Sequence, residues 1–242
     1  MIHNLFSTPI YKINIIDDLE NINDVEKVVR ENLNVASAEL SSLEKNGGKS
    51  TYATNNQLHT SNYLQELCNL VLLHSKMYWK ILDIDERLSP RIDQCWTNIH
   101  KSGSFTVQHS HSLMPMVATF YLKAEKNCGD LILTNPAEYG ITNIPFSRCI
   151  EEKIETAVKV STGDMIFFPG YLRHKTGENF SGEDRIVISF NIGYSGNYLS
   201  SNVEYPNITV SHDVSEVEHL YNKILNLEFI IRNLKENLTN EK

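Results

Sequence analysis

The sequence predicts a mainly β protein, a β-sandwich or open barrel with flanking helices that cover one face of a sheet. Between residues 91 and 194, six short runs rich in β-branched and aromatic residues are separated by clusters of Gly, Pro, Asn and Ser. Runs of this length and spacing are typical of sandwiches and barrels rather than of a parallel α/β sheet. The helical patterns precede this block, which predicts that they pack against one face of the sheet.

The β-rich block is divided by its turn residues into distinct predicted strands. These are Arg91–His100, Met116–Ala124, Asp130–Asn135, Thr156–Ser161, Asp164–Pro169 and Arg185–Tyr194. An earlier strand is predicted at Pro9–Ile15, because apolar and polar residues alternate there.

Two helices and a loop are predicted before the β-rich block. Asp17 and Asp18 are expected to cap a first helix, whose valines and leucines recur at helical spacing up to Leu33. Paired glycines and paired asparagines predict a loop over residues 44–57. A long helix is predicted after Ser61, with its apolar stripe packed in the core.

The last part of the chain, residues 201–242, is predicted to be a helical extension separate from the domain formed by residues 1–200. Ser215 and Glu218 form a capping box. Apolar residues then follow at alternating steps of three and four: Val217, Leu220, Ile224, Leu227, Ile231, Leu234 and Leu238. About three heptads lie at the lower limit for a coiled coil. Two interpretations stay open: a helix packed on its own domain, or a helix that pairs two copies into a homodimer.

Composition and charge exclude several classes of function. The formal net charge of -8 disfavours binding to nucleic acid or to an anionic membrane. No run approaches the ~20 apolar residues that cross a bilayer, and no signal-peptide pattern follows Met1. The four cysteines are far apart and form no CxxC motif, which indicates free thiols in a reducing compartment. We therefore expect a soluble, cytoplasmic protein.

Three of the nine histidines have a spacing that suits a metal site. His109 and His111 lie two residues apart after a β-like run, so their side chains point to the same face of an extended chain. His174 follows a different predicted strand. A pair from one strand and a single ligand from another would hold a metal ion on one face and leave the opposite positions open.

An arginine opens the last predicted strand. Arg185 and Ser189 share the face that we expect to point inward. A guanidinium there is costly to bury without a carboxylate or phosphate partner. The alternative is that Arg185 faces water or pairs with Asp184 or Glu183. Beside the histidines, we favour a carboxylate-bearing co-substrate, held bidentately by Arg185 and by the Ser189 hydroxyl.

These residues occur in an order that resembles the 2-oxoglutarate- and Fe(II)-dependent oxygenases, particularly their bacterial and phage branch. The resemblance covers about the first 195 residues and rests on several short segments. They are Leu5–Ile10, Trp96–His100, His109–His111, Phe120–Leu122, Gly129–Leu133, Asn135-Pro136, Gly163-Asp164, Phe167–Pro169, His174 and Arg185–Asn191. The resemblance implies a double-stranded β-helix core, which is a jelly-roll, cupin-like fold.

The resemblance also implies roles for individual residues. His109 and His174 would bind iron, and Arg185 would hold the distal carboxylate of 2-oxoglutarate. Tyr121 would donate a hydrogen bond to that carboxylate, and Asn98 would lie near the metal-bound end of the co-substrate. The implied reaction uses O2 to hydroxylate an unidentified substrate and releases succinate and CO2, with no catalytic side chain beyond the metal centre.

His111 departs from the superfamily pattern, which has an acidic residue at this position. A neutral imidazole leaves the complex more positive by one charge. We keep His111 as the third ligand because the bacterial and phage branch shares the HxH pattern, with Asp130 as an alternative source of a carboxylate. Two other functions stay open: a three-histidine cupin-like metal dioxygenase without 2-oxoglutarate, and a non-catalytic β-barrel binding or assembly protein.

Overall fold

The computed structural model describes residues 7–36, 43–111, 113–141 and 154–196. The helices are α1 (Ile22–Val35), α2 (Gln65–Ile81) and α3 (Glu138–Ile141). The strands are β1 (Tyr11–Asn14), β2 (Glu44–Lys45), β3 (Lys49–Ser50), β4 (Ser89–His100), β5 (Phe105–Thr106), β6 (Met116–Lys123), β7 (Leu131–Thr134), β8 (Glu155–Val158), β9 (Asp164–Pro169), β10 (His174–Thr176) and β11 (Arg185–Ser195). The predicted helical extension at 201–242, with its dimer interpretation, lies outside the described residues.

The strands form two main antiparallel sheets. The larger sheet has the order β1-β9-β6-β11-β4-β3, the smaller sheet has the order β10-β7-β8, and β2 pairs with β5. Val117 and Phe168 of the larger sheet pack in one apolar cluster with Leu131 and Leu133 of the smaller sheet. The two sheets therefore form a sandwich, and the prediction of a mainly β protein is confirmed.

Helices α1 and α2 cover the outer face of the larger sheet, as predicted. Ile186 and Ile188 of β11 pack in the same cluster as Val71 and Tyr78 of α2, whereas Val187 packs toward the smaller sheet. Successive side chains of a strand point to opposite faces, so β11 is buried on both sides. Its almost uninterrupted apolar run follows from this position between two layers.

Two local predictions were wrong. Asp17 and Asp18 lie in a 3-10 helix, and α1 begins only at Ile22, with no side-chain cap. The loop predicted at residues 44–57 contains β2 and β3, because Glu44–Lys45 pairs with β5 far away in the sequence. A local pattern does not reveal such a distant partner.

Two other expectations concern thiols and membrane spans. Cys68, Cys95 and Cys128 are buried free cysteines, as expected. Among the described residues, no helix is long and apolar enough to cross a membrane.

Candidate metal centre

The three histidines singled out by the sequence come together in the structure. The nitrogens that His109, His111 and His174 can offer to an ion all lie within 4.8 Å of one another. The backbone brings this about: His109 and His174 exchange N–H···O bonds of 2.9 and 2.8 Å, and the His111 N–H donates to Gly170 over 2.8 Å. Residues 109–111 therefore run antiparallel to residues 170–174, and alternate side chains of the first segment share one face.

The hydrogen bonds of these rings leave one nitrogen of each ring free. The Nδ1 atoms of His109 and His174 each donate to the backbone carbonyl two residues earlier, over 2.9 Å. The Nδ1 of His111 donates to Asn191 Oδ1 over 2.6 Å. Since a carbonyl oxygen only accepts, Nδ1 carries the hydrogen in each neutral ring and Nε2 keeps its lone pair. Three lone pairs in this arrangement suit a metal ion.

Burial keeps the three rings neutral. It lowers the pKa of His174 to about 3 and the pKa of His111 to about 4, and it also lowers the pKa of His109. At pH 7 no proton competes for the lone pairs. Asp130, the alternative carboxylate, is not part of this cluster.

A cavity of ≈ 510 Å³ lies beside the three rings. This volume is within the range of roughly 300–1,000 Å³ typical of ligand pockets. Strands β4 and β11 supply one wall, and their register fixes which residues lie opposite each other. The opposed pairs are Gln94 with Asn191, Trp96 with Ser189, Asn98 with Val187, and His100 with Arg185. The wall thus runs from Asn191, which binds His111, to His100, which lies opposite the buried Arg185.

Three of the four residues predicted to bind the co-substrate line this cavity: Tyr121, Ser189 and Asn98. Burial raises the pKa of Tyr121, so its hydroxyl stays protonated and available as a donor. The Oδ1 atom of Asn98 is buried and has no hydrogen-bond partner in the described part of the chain. A buried polar atom without a partner indicates a place for a ligand or an ordered water.

Arg185 is fully buried and does not itself line the cavity. Its Nη1 donates to the carbonyl oxygens of Cys128, Gly129 and Gly177, over 2.6, 2.8 and 3.2 Å. Its Nη2 donates over 2.8 Å to the hydroxyl of Thr176, which does line the cavity. The arginine therefore reaches the cavity wall through Thr176.

The Arg185 charge has no carboxylate partner within salt-bridge distance among the described residues. Asp184 lies 3.9 Å from Arg30, and Glu183 lies 2.9 Å from Lys123, so the alternative pairing considered for Arg185 is wrong. Its Nε is buried without a partner, and its Nη2 makes a single hydrogen bond in the described structure. Two N–H groups on adjacent nitrogens are left, which is the number that a bidentate carboxylate needs.

A buried polar cluster on the same wall was missed by the sequence analysis. Glu44 accepts hydrogen bonds from His100 Nε2 and, over 2.8 Å, from the Thr106 hydroxyl. Burial lowers the pKa of His100. Among the described residues, Glu44 contributes the one carboxylate that lines the cavity. It arrives there through the β2–β5 pairing, which no local pattern of residues predicts.

Comparison with known proteins gives a partial match to one family and a shared fold. Residues 94–191 match the sequence profile of a family described as "Putative 2OG-Fe(II) oxygenase". A search of curated protein sequences finds no significant match.

Several solved structures share the fold. The epimerase SnoN in complex with Fe3+, alpha ketoglutarate and nogalamycin RO has a TM-score of 0.55 at 13% identity, over 85% of this chain and 88% of that one. A prolyl hydroxylase from Trichoplax adhaerens has a TM-score of 0.52 at 13% identity, over 82% and 90%. HygX from Streptomyces hygroscopicus with nickel, 2-oxoglutarate and hygromycin B has a TM-score of 0.50 at 15% identity, over 77% and 83%. At these identities the likeness concerns the fold, and it confirms the predicted double-stranded β-helix.

The profile match spans the cavity wall from Gln94 to Asn191, including Arg185 and the three clustered histidines. The fold of the matched segment is the one that the structural neighbours share. Over residues 94–191 the chain is therefore similar in sequence to this family of 2-oxoglutarate- and Fe(II)-dependent oxygenases, and it shares its fold with the solved structures above.

Proposed function

We propose that the protein binds Fe(II) through His109, His111 and His174 and holds 2-oxoglutarate between that ion and Arg185. With O2 it would hydroxylate a further molecule that enters the cavity. The observation that carries the proposal is that one site contains both unpaired metal-binding nitrogens and an unpaired guanidinium. Three imidazole lone pairs converge at one end of the wall, and a buried guanidinium with two unpaired N–H groups lies at the other.

The charges of the site support a dianionic co-substrate. The three imidazoles are neutral, so a divalent ion and Arg185 bring three positive charges, and Glu44 offsets one of them. Two positive charges then remain in a largely buried site, where an uncompensated charge is costly. A dicarboxylate with one end on the ion and the other near Arg185 supplies the missing negative charge. This balance also gives a physical role to Glu44 in a site whose ligands include no carboxylate.

Each residue has a definite task in this mechanism. When bound, Fe(II) and 2-oxoglutarate supply the oxidising chemistry, in which O2 is consumed, succinate and CO2 are released and a C–H bond is hydroxylated. Arg185 and the hydroxyls of Tyr121 and Thr176 hold the distal carboxylate, and Ser189 adds a hydroxyl along the way. The unpartnered amide oxygen of Asn98 can only accept, so it would bind a water beside the co-substrate.

A second candidate is a three-histidine metal dioxygenase that works without 2-oxoglutarate. It is favoured by the all-histidine cluster, because no carboxylate joins the three rings among the described residues. The buried Arg185 argues against it, since this reading leaves its charge without a partner.

Anaerobic titration with Fe(II) and 2-oxoglutarate separates the two candidates. We expect a weak visible charge-transfer band that requires both compounds, and succinate formation after O2 is admitted. His174→Gln should abolish the band, whereas His59→Gln, outside the cavity, should leave it unchanged. Metal binding without any response to 2-oxoglutarate would favour the second candidate and refute the proposal.

A further inference from the structure

A chain of two hydrogen bonds links His111 to Gln94. The His111 ring donates from Nδ1 to Asn191 Oδ1 over 2.6 Å, and Asn191 Nδ2 donates to Gln94 Oε1 over 2.6 Å. Asn191 and Gln94 lie opposite each other on β11 and β4, and both line the cavity. Whether the oxygen or the amino group of Gln94 faces Asn191 therefore depends on whether Nδ1 of His111 carries a hydrogen.

Metal binding by His111 would fix which group donates in each of these two hydrogen bonds. If Nε2 of His111 holds a metal ion, Nδ1 must carry the hydrogen, so the oxygen of Asn191 must face it. The amino group of Asn191 then points to Gln94, which can answer only with its own oxygen. The Gln94 amino group has no hydrogen-bond partner in the described residues and is not enclosed. Gln94 thus presents N–H donors to the cavity.

A flat aromatic wall adjoins this donor. Trp96, two residues along β4, stacks on His111 with ring centroids 5.7 Å apart and planes inclined by 19°. Tyr52 packs edge-on against Trp96 with ring centroids 5.0 Å apart, and 48% of the Tyr52 surface is exposed. Within the described lining there is no lysine or arginine, and Glu44 belongs to the His100 end of the wall. The Gln94 end therefore offers apolar ring faces and a neutral donor.

We propose that Gln94 recognises the primary substrate, and that the substrate presents an uncharged planar group bearing a carbonyl-type acceptor beside Tyr52 and Trp96. A flat group gains contact with the rings, and its acceptor pairs with the otherwise unpaired amino group of Gln94. This inference rests on the proposed function, because the direction of the amide chain follows from metal binding by His111. Asn191 acts as a positioning residue that transmits this direction.

Two small probes of almost equal shape test the proposal. Acetophenone has a planar ring and a carbonyl acceptor, and ethylbenzene lacks the acceptor. Each is titrated into the full chain loaded with Fe(II) and 2-oxoglutarate under argon, and quenching of Trp96 fluorescence reports binding. The other tryptophan, Trp79, is buried in α2, and Trp79→Phe removes its background. We expect acetophenone to bind about 3- to 10-fold more tightly, the effect of one hydrogen bond.

Two substitutions then change the donor without removing the wall. Gln94→Glu replaces the amino group by an acceptor, so the preference for acetophenone should vanish. Asn191→Asp still accepts from His111 but no longer donates to Gln94, so Gln94 should turn its amino group toward position 191. Its oxygen would then face the cavity, and aniline, a donor probe, should bind more tightly than acetophenone. Gln65→Glu, at the start of α2, is the charge-matched control and should keep the wild-type preference.

The outcomes separate the inference from the proposed function. If the wild-type protein shows no charge-transfer band with Fe(II) and 2-oxoglutarate, the proposed function fails. If the band forms but the two probes bind equally, or neither binds measurably, the inference is overturned and the proposed function stands. An Asn191→Asp variant that keeps the wild-type preference would refute the coupling through the amide chain.

Discussion

Substitution of Arg185 separates its charge from its hydrogen-bonding geometry. The structure leaves two N–H groups of this buried guanidinium unpaired, and we assign them to the distal carboxylate of 2-oxoglutarate. Each charge-assisted hydrogen bond is worth about 1.5–3 kcal/mol, so losing both costs roughly 3–6 kcal/mol. Arg185→Met should therefore weaken 2-oxoglutarate binding by about 10²- to 10⁴-fold. Arg185→Lys keeps the charge but not the planar fork, so we expect a smaller loss, about 10- to 100-fold.

The assay is the anaerobic charge-transfer titration, with near-UV circular dichroism to measure the folded fraction of each variant. This second measurement is needed because Arg185 also binds the carbonyls of Cys128, Gly129 and Gly177. Arg30→Met, on α1, is the matched control and should titrate like wild type. An Arg185→Met variant that is folded and binds 2-oxoglutarate with unchanged affinity would refute the assignment.

Three further predictions concern pH, backbone packing and charge. The pKa values of His111 and His174 lie at about 4 and about 3 in the folded metal-free protein, below the unfolded value of about 6.5, so the unfolded state binds more protons and stability falls as pH drops below 6.5. Each ring should lower the free energy of unfolding by about 2 kcal/mol at pH 5. Urea unfolding of the metal-free protein measures this, and equal free energies at pH 5 and pH 8 would contradict the prediction. Gly170→Ala should lower the free energy of unfolding by roughly 3 kcal/mol and weaken Zn(II) binding, because a Cβ there would overlap the Met114 carbonyl beside His111. Calorimetry measures the metal affinity, and an unchanged affinity would contradict the prediction. Glu44→Gln should tighten 2-oxoglutarate binding on the order of fivefold in the same charge-transfer titration, since it removes a negative charge from the cavity wall, and weaker binding would show that Glu44 has another role.

Much of the fold and part of the site follow from local patterns. The predicted strand Asp164–Pro169 has the bounds observed for β9, and the six other predicted strands differ from the structure by a few residues at their ends. Alternation places successive side chains on opposite faces, so the convergence of His109 and His111 on one face was readable before any tertiary structure was known. The inward position of Arg185 was readable for the same reason.

The partners of these residues were not readable, because they depend on which strands pair. Glu44 lies 56 residues from His100 and meets it only because β2 pairs with β5. The contact between His111 and Asn191 spans 80 residues and depends on the position of β11.

The sequence by itself determined a mainly β chain, two histidines on one side of an extended segment and an arginine on an inward face, because these features depend only on backbone periodicity. Tertiary structure decided that the His174 ring meets the other two, that the Arg185 charge has no carboxylate partner among the described residues, and that Gln94 offers a donor to the cavity. Those features arise from hydrogen bonds and charges between segments far apart along the chain. Their energies exist only once strand pairing has brought the groups together and burial has removed the competing water.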